Sequence, residues 1–206
     1  MALVGAVALA GGAAVAAHYY FRELTLSHYD ARGHLVVARR IFDSITPGWQ
    51  QIGAVWLPLP HLINALPVQI DFFYRTGLSA VALSIACFAV TAAAIAWIVE
   101  RLTGSRPAAV AGAAVFALNP NVLYLQSTPM TEPLLIALSV LGVALLVAWV
   151  DGVGSTGREP KAPSANRPAA GARCQTSRHC STSRRPRRGA MRHRKVRVYS
   201  CDSAQP

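Results

Sequence analysis

The first 150 residues of this 206-residue chain contain no lysine, and only seven arginines and six acids, for a net charge of +1. A typical water-soluble domain has about one charged residue in four, so this scarcity argues against a fold that meets water on every side. Cysteine is also sparse. Cys87 lies in an apolar run, and Cys174, Cys180 and Cys201 stand at spacings that match no common zinc pattern. Neither a disulfide scaffold nor a zinc site is therefore expected. No Lys or Arg precedes Arg22, so the N-terminal apolar segment lacks the basic start of a cleaved signal peptide and reads as a retained anchor. No apolar segment carries a central charge of the kind that marks an ion path, which argues against a transporter.

Four long apolar stretches fill the space that charge leaves. They are residues 2–20, 76–99, 108–125 and 133–150. A helix rises about 1.5 Å per residue, so about 20 apolar residues cross a hydrocarbon core of about 30 Å. The pattern predicts an all-α integral membrane protein with about four transmembrane helices. The third stretch contains Asn119-Pro120-Asn121, and proline predicts a break or kink there.

Residues 21–75, between the first two stretches, are more than a connector. Leu35, Ala38, Ile41, Phe42 and Ile45 recur at helical spacing, with Arg32, Arg39, Arg40 and Asp43 largely elsewhere on the wheel. That pattern predicts an amphipathic helix over 32–45 lying in the membrane interface, ended by Pro47-Gly48. Residues 49–67 carry Trp49, Trp56, Pro58, Pro60 and Pro67. They cannot form one regular helix, and a second interfacial or re-entrant piece is expected.

The remaining residues differ in kind. Residues 151–206 hold thirteen Lys and Arg against three acids, so the overall charge of +11 belongs to them. The chain thus divides into 1–152, the membrane part, and 153–206, an Arg-rich disordered tail. The runs SRRPRR and RHRKVR suit phosphates of lipid headgroups, or of nucleic acid, the less expected partner. A plain solvated tail is a second reading. Out-of-frame translation of GC-rich DNA after Trp149-Val150-Asp151-Gly152 is a third.

Four spans put residues 21–75 and 126–132 on one face. With the tail counted, fifteen basic residues oppose five and place the tail in the cytoplasm; without it, two oppose five. Two acids then share the outer face, Asp30 in LSHYDARGH and Glu132 in STPMTEP. A carboxylate there can take a proton from an acceptor hydroxyl, or hold Mg²⁺ or Mn²⁺ against a phosphate. Each also has a structural reading. Asp30 suits a helix N-cap, and Glu132 suits a first-turn acid with Pro133 at the first helical position. His28, His34 and His61 could contact a phosphate or hydroxyl, or simply form hydrogen bonds. Arg32, Arg39 and Arg40 could pair with a phosphate or with anionic headgroups.

The segments HYDARGHLVVARRIFDSITPGWQQIGAVWLPLPHL and FALNPNVLYLQSTPMTEPLL, in this order and on one face, resemble the GT-C superfamily. These polytopic glycosyltransferases use polyprenyl-phosphate sugars and include protein O-mannosyltransferases and aminoarabinose transferases of lipid A. The resemblance covers residues 1–150. It implies transfer of a sugar from a polyprenyl-phosphate donor at the outer face of the plasma membrane. Asp30 matches the first-loop acid that orients or deprotonates the acceptor, and Glu132 the second-loop acid associated with metal or lipid phosphate. WLPLPH, with His61, matches the stretch near the donor phosphate; His28, Arg32 and His34 join it as expected substrate contacts. Asp30 is followed by Ala31, where many relatives carry adjacent acids. Relatives also carry more spans, which implies the N-terminal part of such an enzyme. The alternative is a small non-enzymatic membrane protein whose basic tail binds anionic lipid or a partner.

Overall fold

Residues 78–99 contain no charge, no proline and no glycine, so nothing interrupts the helix that they begin. In the computed structural model this helix, α5 (Leu78–Thr103), has 26 residues and is about 39 Å long. The structure describes residues 1–53 and 56–156, all within one unit, Met1–Lys161. Residues 153–156, expected as the start of the disordered tail, instead continue the last helix, Glu132–Thr156; the rest of the tail, with Cys174, Cys180, Cys201 and the basic runs, lies outside the described residues.

Around α5 stand α1 (Ala2–Phe21), α6 (Arg106–Ala117), α7 (Pro120–Gln126) and α8 (Glu132–Thr156). Half of the most apolar stretch of α5 is buried, against 17% for α1 and 11% for α8, so α5 is the central helix. Among the described residues, three helices (α1, α5 and α8) are long and apolar enough to cross a membrane. A fourth span is formed if α6 and α7, bent by 65°, are taken together. The break is where proline predicts it. Pro120 has no N–H to donate, and Asn119 Oδ1 accepts the Asn121 N–H at 2.9 Å, capping a new helix.

Small residues let α1 approach closely. A Cβ on Gly12 would lie 3.0 Å from Phe88 Cδ1, and one on Gly5 would lie 3.3 Å from Ala93 Cβ. Gln126 closes this contact by donating to the Gly12 carbonyl (3.1 Å) and to Ser127 Oγ (2.8 Å). Residues 126–132, expected as a plain outer loop, therefore begin with buried side chains. Gln126, Ser127, Thr128 and Pro129 are all fully buried. Ser127 and Thr128 satisfy their hydroxyls on the carbonyls of Leu123 and Tyr124, which removes the desolvation cost that polarity would otherwise bring.

Residues 21–75 form a small helical layer made of α2 (Tyr29–Arg40), a 3₁₀ turn (Trp49–Ile52), α3 (Pro58–Ala65), a second 3₁₀ turn (Pro67–Gln69) and α4 (Asp71–Thr76). The amphipathic helix exists but begins and ends earlier than its pattern suggests. It stops at Arg40, and Phe42 and Asp43 turn back to donate to the Arg39 carbonyl. Its apolar residues Leu35 and Ala38 pack with Val68 and Ala80, so this face is covered by protein rather than left for a membrane interface. Arg39 is taken up in the same layer. It donates to Asp43 (3.0 Å) and Asp71 (2.7 Å) and lies 4.5 Å from the centre of the Tyr74 ring, so it is no longer a free phosphate ligand. Glycine at position 77, with φ +69°, turns the chain from α4 directly into α5.

Candidate functional site

Residues 21–75 and 126–132 meet at a small cleft. Its lining brings His34 from α2, Pro60, His61 and Asn64 from α3, Ser84 from α5, and residues 129–131 from the second segment together. Its volume of about 20 Å³ has room for about one water molecule.

Both histidines are buried, His61 with 1% of its surface exposed. His61 Nδ1 lies 2.7 Å from the Leu57 carbonyl, and His61 Nε2 lies 3.1 Å from His34 Nδ1. These contacts assign the protons. A carbonyl only accepts, so His61 Nδ1 carries its hydrogen and its Nε2 is a bare lone pair. His34 Nδ1 must then donate, which leaves His34 Nε2 as an acceptor. The Trp56 ring stands edge-on to His34, with centroids 4.3 Å apart and planes at 80°. Asn64 Nδ2 donates to the Pro60 carbonyl at 3.0 Å, holding its amide on the inner side of α3.

Burial, reinforced by the neighbouring His61, pushes His34 down to about 4, against the opposing pull of Asp30. Burial also lowers His61, partly offset by its bond to the Leu57 carbonyl. Both rings are therefore neutral at pH 7. The unfolded chain takes up a proton near pH 6.5 while folded His34 refuses it until about pH 4. Stability is therefore full above pH 6.5 and falls as pH drops through that window, at about 1.4 kcal/mol for each unit that the two states differ. Thermal unfolding of the detergent-purified chain should show a lower midpoint at pH 4.5 than at pH 7.5. His34→Gln, which can still donate to His61, should show a smaller drop; an equal drop would assign the acid lability elsewhere.

Asp30 lies one helical turn before His34, a spacing that places both on one side of α2. It is not the N-cap. His28 fills that place, its Nδ1 accepting the Asp30 N–H at 3.2 Å. The helix starts three residues earlier than predicted, so Asp30 falls in the first turn. Its carboxylate is 46% exposed and 3.8 Å from His28 Nδ1, open to an incoming group. Arg32 is exposed, and its Nε donates to the Leu26 carbonyl at 2.9 Å. Glu132 opens α8 as a first-turn acid, the structural role its sequence suggests. Its Oε2, however, is buried without a hydrogen-bond partner.

His34 and His61 are thus brought together, Asp30 and His28 sit at the rim of the same helix, and Glu132 follows directly on the cleft-lining Thr131. Asn64 and Ser84 are contributors that sequence patterning did not single out, and Trp56, read there only as an interfacial residue, stands against His34. Only the placement of Asn64 on the same helical turn as His61 could have pointed to it. Among the described residues, no group of three or more His, Cys, Asp or Glu side chains gathers at metal-binding spacing. Comparison with known protein families, with curated proteins and with solved structures finds no match.

Proposed function

We propose that this chain is a multi-pass plasma-membrane glycosyltransferase, or the N-terminal part of one, that moves a sugar from a polyprenyl phosphate to an acceptor hydroxyl or amine outside the cytoplasm. One observation carries the reading: residues 21–75 and 126–132 close on one small cleft that holds the His34–His61 pair, and the open carboxylate of Asp30 stands one helical turn from His34. In this reading Asp30 takes the acceptor proton as its oxygen or nitrogen attacks the sugar carbon, and the lipid phosphate leaves. His34 Nε2 and His28 offer hydrogen bonds to hydroxyls, and exposed Arg32 offers charge to phosphate.

A divalent cation fits this donor set only in a limited way. Mg²⁺ usually takes one or two carboxylates and completes its shell with substrate phosphate and water. Glu132, with its unpartnered oxygen, and Asp30 would hold such an ion; no all-protein cage is formed among the described residues. When bound, it would neutralise charge on the departing phosphate. An apolar cleft of about 470 Å³, lined by Val7, Gly11 and Val15 of α1, Phe88 of α5, and Val110 and Leu118 beside it, has the chemistry that a prenyl tail requires.

The test supplies membranes containing the full chain with a labelled polyprenyl-phosphate hexose. Label should appear in an acceptor, and should not appear when the same sugar is offered as its nucleotide conjugate or when the chain is absent. Equal labelling with and without the chain would remove the transferase reading.

A further inference from the structure

Helix α3 has two unlike faces. Pro60, His61, Asn64 and Ala65 are buried. Leu59, Leu62, Ile63 and Leu66, at positions i, i+3, i+4 and i+7, are between 40% and 71% exposed. This apolar row continues through Ile70 and Phe72, both more than half exposed, up to Gly77 and the start of α5.

We infer that this face of α3, rather than α2, lies in the outer leaflet of the lipid bilayer and fixes the depth of the His34–His61 pair. Three features commit the face to lipid. Residues 44–70 contain no Lys, Arg, Asp or Glu, whereas a helix that meets water on one side carries charge there. The row is continuous along the chain with α5, which begins six residues after Phe72, so it emerges at the level where the longest apolar helix enters the membrane. Arg40 and Arg75 are exposed at its borders, and the Trp49 ring is 64% exposed; cationic and indole groups favour the headgroup boundary. On α2, by contrast, exposed Val36 is bracketed one turn away by exposed Arg32 and Arg40, which suits water. Because His61 hangs from the inner side of the same eight-residue helix, lipid seated on the outer side holds the histidine pair at headgroup depth. The inference rests on the membrane reading of α1, α5 and α8 and not on the transferase reading.

The full chain, with its four cysteines replaced, is given single cysteines in turn and labelled with an environment-sensitive fluorophore. It is then reconstituted into vesicles of phosphatidylcholine and phosphatidylglycerol. Leu62→Cys and Leu66→Cys report α3, Val36→Cys reports α2, and Leu145→Cys reports α8, where Leu145 is 70% exposed. Lipids spin-labelled high on the acyl chain should quench the two α3 labels several-fold more than the Val36 label. Aqueous iodide should do the reverse. Quenching at Leu145 but not at Leu62 would overturn the inference while leaving the membrane reading intact. No lipid quenching at Leu145 would overturn both. An α3 label shielded from lipid and iodide alike would mean that protein, such as a second copy, covers the face, and would also overturn it.

Discussion

Asp30→Asn is expected to lower sugar transfer by about 10²–10⁴-fold, the usual contribution of a positioned general base, while leaving the fold nearly intact. Asparagine has the same shape but cannot accept the acceptor's proton. The structural cost is small because the Asp30 carboxylate makes no hydrogen bond that the fold depends on; the bond at this position is made by its backbone N–H to His28. What is lost is the favourable placement of a negative charge in the first turn of α2, about 0.3–1 kcal/mol. Transfer and unfolding midpoint should therefore separate. Measured with the same labelled donor, a large fall in rate with a nearly unchanged midpoint supports the role of Asp30 as base. Unchanged transfer removes Asp30 from the mechanism. A parallel collapse of both would assign it a folding role, and Asp30→Glu, which keeps the charge, should then restore the midpoint.

The features that were legible in the sequence are those that a whole window determines. Absence of charge over about 20 residues admits few alternatives, and α1, α5 and α8 appear where the apolar stretches predict them. The break at Pro120 was legible because a missing N–H is a local certainty. Amphipathicity was only half informative. It identified the apolar side of α2, but a periodic pattern cannot say whether protein or lipid covers that side. The Pro-rich segment is, as expected, not one regular helix, yet its prolines also start one. Pro58 and Pro60 look like breakers, yet both fall in the first turn of α3, where N–H groups have no helical partner to lose. The pairing of His34 with His61 spans 27 residues and exists only because α2 and α3 pack together; no spacing encodes it. The burial of Gln126, Ser127 and Thr128 was hidden by their polarity, since side chains that bond to backbone carbonyls, of Gly12 for Gln126 and of α7 for the other two, leave no trace in a hydropathy pattern. Of the two acids, only the position in the chain was legible; the exposure of Asp30 and the unpartnered oxygen of Glu132 depend on how the helices dock.

The largest loss of stability is expected at Gly77, where the chain leaves α4 for α5. Its φ of +69° lies in the left-handed region, which costs a side-chain-bearing residue about 1–2 kcal/mol. Space is also lacking. A Cβ there would stand 2.8 Å from Pro129 Cγ, 3.1 Å from Leu26 Cδ2 and 3.4 Å from Leu35 Cδ1. Pro129 is fully buried and cannot yield without moving its neighbours, so overpacking adds about 1–3 kcal/mol. Gly77→Val should therefore lose most of its folded, monodisperse protein in detergent. Gly104 provides the control, because it has nearly the same φ, +68°, and no atom within 4 Å of an added Cβ. Asparagine tolerates the left-handed region, so Gly104→Asn should be nearly neutral in unfolding midpoint while Gly77→Asn remains clearly destabilised. The difference between the two isolates the contact with Pro129 from the backbone strain. Similar midpoints for both asparagine variants would show that Pro129 gives way, and that Gly77 is required for its conformation alone. Wherever Pro129 gives way, the 129–131 wall of the cleft moves with it. Transfer by the surviving folded fraction should then fall further than its amount accounts for. Gly77 thus joins α5, residues 21–75 and residues 126–132 at one point, through Leu26, Leu35 and Pro129.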